Sequence, residues 1–321
     1  MDLRQLKTFV HVAELGSFSL ASKRLKIAQP ALSRQIRLLE TELQSSLFKR
    51  HSKGASLTHS GRILLKHATA ILKQIETAKV SVADSRNKIS GHVIFGMPQS
   101  AGILLAVPLI ERFRASYPLV TLRMIEGVGS IVHEWMIDGM LDLGVIYNPS
   151  GTNKLSAKPL WTEDLHVVGP HGMFQRGETI AFAKLAKLDI TLPSMGNGLR
   201  GLVETYAQKH KIHLKILIEA DAQRIQKELA SIGTACTVLP RASVEDDLRL
   251  DRLSAARIID PVIPRTLALA LPTDRPTSAA GRKLGEMICV IARELAEDLS
   301  QPDLYLPTTH TVETVNIIGG A

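Results

Sequence analysis

The residues from Leu25 to Glu40, Leu-Lys-Ile-Ala-Gln-Pro-Ala-Leu-Ser-Arg-Gln-Ile-Arg-Leu-Leu-Glu, carry side chains suited to reading duplex DNA. Arginine can bond bidentately to guanine and glutamine to adenine in the major groove. Pro30 lacks an amide proton and fits the first turn of a helix, so it marks where one starts. On that helix Leu32, Ile36 and Leu39 form a buried stripe, which leaves Gln29, Ser33, Arg34 and Arg37 on the outward face. The turn-rich, cationic stretch 47–58 reads as a β-hairpin wing, with Arg50 and Lys53 placed for phosphates or the minor groove.

Two further stretches could bind a ligand. Met97–Gly102 and Leu192–Arg200 each pass from a candidate strand into a candidate helix. Backbone amides and a hydroxyl at such junctions favour a carboxylate or another anion, through Ser100, Ala101 and Gly102 in the first and Ser194 and Gly196 in the second. Ser at a helix start is also an ordinary N-cap. Arg200 could neutralise an anion or face solvent. The second junction also holds Gly196-Asn197-Gly198-Leu199-Arg200-Gly201, a G-x-G-x-x-G pattern, with Glu219 ending the next strand where a ribose-binding acid would stand. An NAD-binding oxidoreductase is therefore the alternative function. Against it, Pro193 and Ser194 lengthen the turn, and the pattern lies deep in the chain as a lone copy. His210-x-x-His213 lacks a third ligand, so neither metal nor cofactor is expected. Cys236 and Cys289 each sit in an apolar segment and read as buried thiols. Trp135 and Trp161 read as packing residues.

The elements that position these groups follow from periodicity. Leu3, Leu6, Phe9, Val10 and Ala13 recur at helical spacing, and Gly16, Ser17 and Ser19 end that helix and cap the next. The short second helix carries the small pair Ala21-Ser22, which lets the third helix approach; together they form a helix-turn-helix. From Thr58 a long helix begins, on which Leu64, Ala68, Ile71, Ile75, Ala78 and Val82 alternate steps of four and three. This seam predicts pairing of two chains. Ser85–Gly91 breaks the period and reads as a hinge. Candidate strands follow at His92–Gly96, Thr121–Glu126, Asp142–Tyr147, Leu165–Gly169, Asp189–Leu192, Lys215–Glu219, Ala235–Leu239 and Thr266–Leu271. Candidate helices fall between them at Gly102–Ser116, Ser130–Gly139, Leu199–His210, Ala222–Ser231 and Ala279–Leu299. Alternating strands and helices predict an α/β architecture. Residues 300–321, rich in Pro and Thr, form a tail.

Charge is unevenly spread. The chain of 321 residues carries +8 overall, and residues 1–90 hold 16 Lys and Arg against 6 Asp and Glu, leaving 23 against 25 for the remainder. The positive excess therefore belongs to the DNA-reading end, and a neutral region with another task follows. No signal peptide or membrane-length apolar run is found, so a cytoplasmic protein without a membrane partner is expected.

The run from Leu6 to Gly61 resembles the winged helix-turn-helix of LysR-type transcriptional regulators. The match is carried in order by Phe9, Gly16, Ser17, Phe18, Ala21, Leu25, Gln29, Pro30, Ala31, Leu32, Ser33, Ile36, Leu39, Glu40, Leu43, Leu47, Phe48, Arg50, Leu57, Thr58 and Gly61. Ala28 departs from the Ser often found as the cap of the third helix. The resemblance implies a DNA-binding domain over 1–59, a dimerising linker helix and hinge over 60–90, and an effector domain over 91–299. It implies two lobes similar to periplasmic solute-binding proteins, one of about 91–162 with 268–299 and one of about 163–267. Ser100 and Ser194 would lead the effector contacts, with Gly127, Val128, Tyr147 and Asn148 completing the wall. The implied partners are promoter DNA, a small organic anion, a second or fourth copy of the chain, and RNA polymerase. Effector binding would shift the lobes and so the spacing of the DNA heads, which predicts an activator or repressor and no enzyme.

Overall fold

The computed structural model describes residues 1–51, 54–83, 89–149, 153–298 and 303–307. The chain forms two compact units, residues 1–88 with Ile137–Met140 and the remainder from Ile89 onward.

In the first unit α1 (Leu3–Leu15), α2 (Phe18–Leu25) and α3 (Gln29–Glu42) precede a hairpin of β1 (Phe48–His51) and β2 (Gly54–Leu57), and α4 (His59–Ala83) follows. Local chemistry explains the boundaries. Asp2 and Gln5 form a capping box on α1, Gly16 ends it in the left-handed region, and Ser17 caps α2. The first turn of α3 contains Pro30, and Ala28 supplies no side-chain cap. Phe9, Leu32, Ile36, Leu39, Leu47 and Phe48 fill one core. The hairpin is tied to that core twice. Oε1 of Glu40 accepts from the amides of Leu47 (2.8 Å) and Phe48 (3.3 Å), and the amide of Ala55 donates to the carbonyl of Gly16 (2.7 Å). Gly54 makes the second tie possible, because a β-carbon there would stand 2.4 Å from the Gly16 carbonyl oxygen.

Two expectations need correction in this unit. Ser33 is only 8% exposed, not outward. It follows Leu32 and precedes Ile36 by one turn, so it falls on the edge of the buried stripe. The seam of α4 is also divided. Ala68 is fully buried in the core of its own unit, and Leu64 packs against the same core. Ile71 and Ala78 are exposed and Ile75 is half-buried, so only this later part is open to a second chain. The side chain of Val82, and all of Lys53, lie outside the described residues.

The second unit begins with β3 (Gly91–Pro98), α5 (Gln99–Ser116), β4 (Val120–Gly127), α6 (Gly129–Ile137) and β5 (Leu143–Tyr147). Next come β6 (Leu155–Pro170), β7 (Thr179–Ala181), β8 (Asp189–Leu192), α7 (Gly198–Lys209), β9 (Lys215–Glu219), α8 (Gln223–Ser231), β10 (Cys236–Pro240) and α9 (Glu245–Arg249). It ends with β11 (Leu253–Ile259), β12 (Pro264–Pro272), α10 (Ala279–Glu297) and β13 (Leu304–Tyr305). The main sheet path runs β4-β3-β5-β12-β6-β10-β8-β9. Parallel pairs β3–β4 and β3–β5 lie at one end and β10–β8 and β8–β9 at the other, while antiparallel β12 and β6 join them.

Two hydrophobic cores flank this junction. One holds Phe95, Leu105, Phe113, Trp161, Leu267 and Ile288, and the other Leu165, Val167, Phe182, Val203, Val238 and Ile258. The chain passes between them on β6 and returns on β12. At the crossing Thr162 and Thr266 are buried and share a hydrogen bond of 2.9 Å. The sixteen-residue β6 is longer than the expected strand, and β7, β11 and β13 were not anticipated. Part of the tail is therefore structured: β13 pairs with β6, and Leu304 enters the first of the two cores. Cys236 and Cys289 are both free and belong to different cores, Cys236 buried as expected and Cys289 only partly so. Among the described residues no helix is long and apolar enough to cross a membrane, and no His, Cys, Asp and Glu cluster could hold a metal.

Candidate functional site

On the first unit Gln29, Pro30, Arg34 and Arg37 are exposed along one side of α3, opposite the fully buried Leu32, Ile36 and Leu39. Arg50 is exposed on the wing, and its guanidinium lies 4.2 Å from the ring centre of Phe18. That stacking holds a long side chain in place beside the start of α2. A helix with this polar face, flanked by a positioned arginine, has the form of a major-groove reader with a wing.

In the second unit a cleft of about 740 Å³ opens between the two cores. Helices α5, α6, α7 and α8 all begin at its wall, represented there by Gln99, Gly129, Gly198 and Gln223. Strand β3 runs straight into α5, which has no side-chain cap, so the amides of Gln99, Ser100 and Ala101 lack acceptors within the helix. The positive end of α5 therefore faces the cleft.

The floor is a charged network that local sequence did not reveal. Arg265, on β12, is 5% exposed; its Nε donates to Glu163 at 2.7 Å and its Nη2 to the Ser100 hydroxyl at 3.0 Å. The guanidinium also lies 3.8 Å from the ring centre of Tyr147. Burial opposes the charge on Arg265, but Tyr147 and Glu163 hold its pKa above the ordinary arginine value. Burial, against which Arg265 works, pushes the Tyr147 phenol far above its usual range, so it is a neutral hydroxyl. Asn148 closes this side by two 2.8 Å hydrogen bonds with the backbone of Thr266. His133 also lines the cleft, and its Nε2 is buried without a partner among the described residues.

The expected contacts are thus partly assembled. Ser100, Gly127, Val128, Tyr147, Asn148 and Gly196 line the cleft. Ala101 and Gly102 do not: Ala101 is fully buried in the first core and Gly102 packs against Glu126. Ser194 is turned aside as well, because its amide (3.0 Å) and hydroxyl (2.8 Å) both donate to Asp221, which does line the cleft. Those bonds hold the Asp221 carboxyl below its usual range. The cap of α7 is Asn197 instead. Arg200 is buried and satisfied by Glu204 (2.6 Å), the Pro193 carbonyl (3.1 Å) and Glu219 (3.3 Å), so it is not free for an anion. Arg265, itself paired with Glu163, is the Lys or Arg side chain that lines the cleft.

The same region disposes of the dinucleotide alternative. The third glycine of such a fingerprint is needed for close helix–strand packing, yet an added β-carbon on Gly201 would meet nothing within 4 Å. The acid expected to hold a ribose, Glu219, is paired with Arg200.

A helix-turn-helix with an open reading face, on one chain with a two-lobed domain enclosing a polar cleft, defines the class of ligand-responsive DNA-binding regulators. Residues 3–62 match the bacterial regulatory helix-turn-helix protein, lysR family, and residues 86–289 match the LysR substrate binding domain. The chain belongs to the LysR family of transcriptional regulators. It is 30% identical to the nitrogen assimilation regulatory protein nac of Escherichia coli K12, covering 90% of this chain and 94% of the relative. It is 28% identical to the HTH-type transcriptional regulator BbuR of Bordetella bronchiseptica, over 94% and 93% of the two chains. Among solved structures, CbnR, a LysR family transcriptional regulator, superposes with a TM-score of 0.69 at 21% identity, covering 91% of this chain and 99% of that one. Full-length BenM gives 0.57 at 25% identity, with 92% and 97% covered. The relatives are regulators, and this chain is a transcriptional regulator, not an oxidoreductase.

Proposed function

We propose that residues 1–59 bind promoter DNA as an inverted pair of heads, with Gln29 and Arg34 at base edges and Arg37 and Arg50 at the backbone. Two chains join through the open part of the α4 seam at Ile71, Ile75 and Ala78, and four form a dimer of dimers. Residues 91–299 hold a small carboxylate-bearing effector in the cleft, against Ser100, the Arg265 floor and the amides of α5. Effector binding draws the lobes, about 91–162 with 268–299 and about 163–267, into a different relative placement. That changes the spacing of the heads and the access of RNA polymerase to the promoter. The observation that carries the effector part is the buried Arg265–Ser100 contact on the cleft floor (3.0 Å), below the uncapped start of α5. A polar group this buried and this close to free amides fits a ligand oxygen. A chain titratable in this way should show promoter occupancy that depends on an organic acid.

The test is sequencing of DNA fragments captured by the full chain with and without organic acids, repeated with Ser100→Glu. The variant should keep its DNA sites and lose the response. An undiminished response in Ser100→Glu would refute this placement of the effector.

A further inference from the structure

The charges around the cleft do not suit a plain organic anion. Arg265 is the cation among its lining residues, and Glu163 already engages it through both Nε and Nη2. Three carboxylates line the same space: Glu126, Glu134 and Asp221. Ser194 occupies one oxygen of Asp221, whereas Glu126 and Glu134 enter no ion pair among the described residues.

Glu126 has a specific seat. It ends next to β4's last residue, and its Oε1 lies where a β-carbon on Gly102 would come within 2.5 Å, so the missing side chain at 102 leaves the slot that this carboxylate fills. Gly102 follows Ser100 by two residues, about 3 Å of helix rise. Positions two apart face different sides of a helix, so it is the cleft lining that brings Glu126, Ser100 and Arg265 into one space. A ligand carboxylate in that cleft adds a like charge to Glu126, Glu134 and Asp221. An ammonium group on the ligand, beside its carboxylate, turns that repulsion into an ion pair.

We infer that the cleft takes a zwitterionic α-amino acid, with its carboxylate on Ser100, Arg265 and the free amides of α5 and its ammonium on Glu126 and Glu134. The inference rests on the reading of the cleft as the effector site. It adds that the site demands a positive charge beside the acid.

The experiment is calorimetric titration of the full-length protein with the protein amino acids, each beside its 2-hydroxy acid and its N-acetyl derivative, near neutral pH. At least one amino acid should bind, and loss of its ammonium in either counterpart should weaken binding about tenfold or more. Glu126→Gln, at an exposed residue, should weaken the amino acid about tenfold and leave the hydroxy acid unchanged or tighter. Gly102→Ala, which pushes the Glu126 carboxylate from its slot, should act in the same direction. Equal binding of amino acid and hydroxy acid, or an amino acid affinity indifferent to Glu126→Gln, overturns the inference while leaving the cleft an acid site. Binding by none of the three classes overturns both.

Discussion

Replacement of Arg265 by Met should expose how strongly the cleft floor depends on one ion pair. Glu163 is 3% exposed and Arg265 5%, and their contacts measure 2.7 Å from Nε and 2.6 Å from Nη2. Removing the cation leaves a buried carboxylate with no countercharge, which costs about 3–5 kcal/mol. For a domain of this size each kcal/mol moves the melting temperature by about 2–4 °C, so a fall of about 6–20 °C is expected. The double variant Glu163→Met/Arg265→Met should recover most of that loss, because well-packed apolar residues replace a buried pair at little cost. Calorimetric melting of the wild type, both single variants and the double completes a mutant cycle. The reasoning fails if Arg265→Met costs under about 1 kcal/mol, or if the double variant melts as low as the sum of the singles requires.

The remaining expectations concern DNA, assembly and the tail. Arg34→Ala should lose about 1–3 kcal/mol on a cognate duplex and relax its sequence preference, while Ser33→Ala should leave that preference intact because Ser33 is buried; competition binding with scrambled duplexes reads both. Paired Ile71→Lys and Ile75→Lys substitutions should shift the protein toward monomers in sedimentation without lowering the melting temperature of the first unit, since Ala68 and Leu64 still fill its core. Asp303 is half-buried, which alone would raise its pKa, but the His166 hydrogen bond and charge, with Arg241 and Arg257, lower it overall. A carboxyl depressed in the folded state stabilises above its unfolded pKa of about 3.9 and loses that contribution as pH falls through the folded value. Asp303→Asn should therefore melt lower than wild type near neutrality, with the gap closing below about pH 4.

The legible parts of the chain were those whose physics is local. Gly16, Ser17 and Pro30 punctuate helices through their own backbone preferences, and the stripe of Leu32, Ile36 and Leu39 reports its own burial. The α4 seam shows where that logic stops: spacing reveals that Leu64 and Ala68 are covered, but the cover in the structure is the core of their own unit. Arg200 and Arg265 make the same point for the site. Arg200 stands by a glycine-rich turn and looks like an anion partner, yet Glu204 and Glu219 consume it. Arg265 sits in an apolar strand, 165 residues from the serine it contacts, and only the sheet brings the two together. The run Thr162-Glu163-Asp164 lies outside the expected strand Leu165–Gly169, whereas β6 passes straight through it because each side chain finds a polar partner across the crossing.

Strands β6 and β12 leave and re-enter the first lobe side by side, with Asp164 opposite Pro264 in the antiparallel register. Everything between those two positions is thus a cassette whose ends already touch. Closing so short a gap costs little loop entropy, so a lobe of other origin could be spliced in at 164 and 264, at the cost of the Asp303 contacts with His166, Arg241 and Arg257. Half of the cleft would travel with the insert, and half, including Ser100 and Arg265, would stay with the host. Recombination at a single pair of neighbouring residues would therefore exchange one wall of the cleft and leave the other wall and the DNA-binding unit in place.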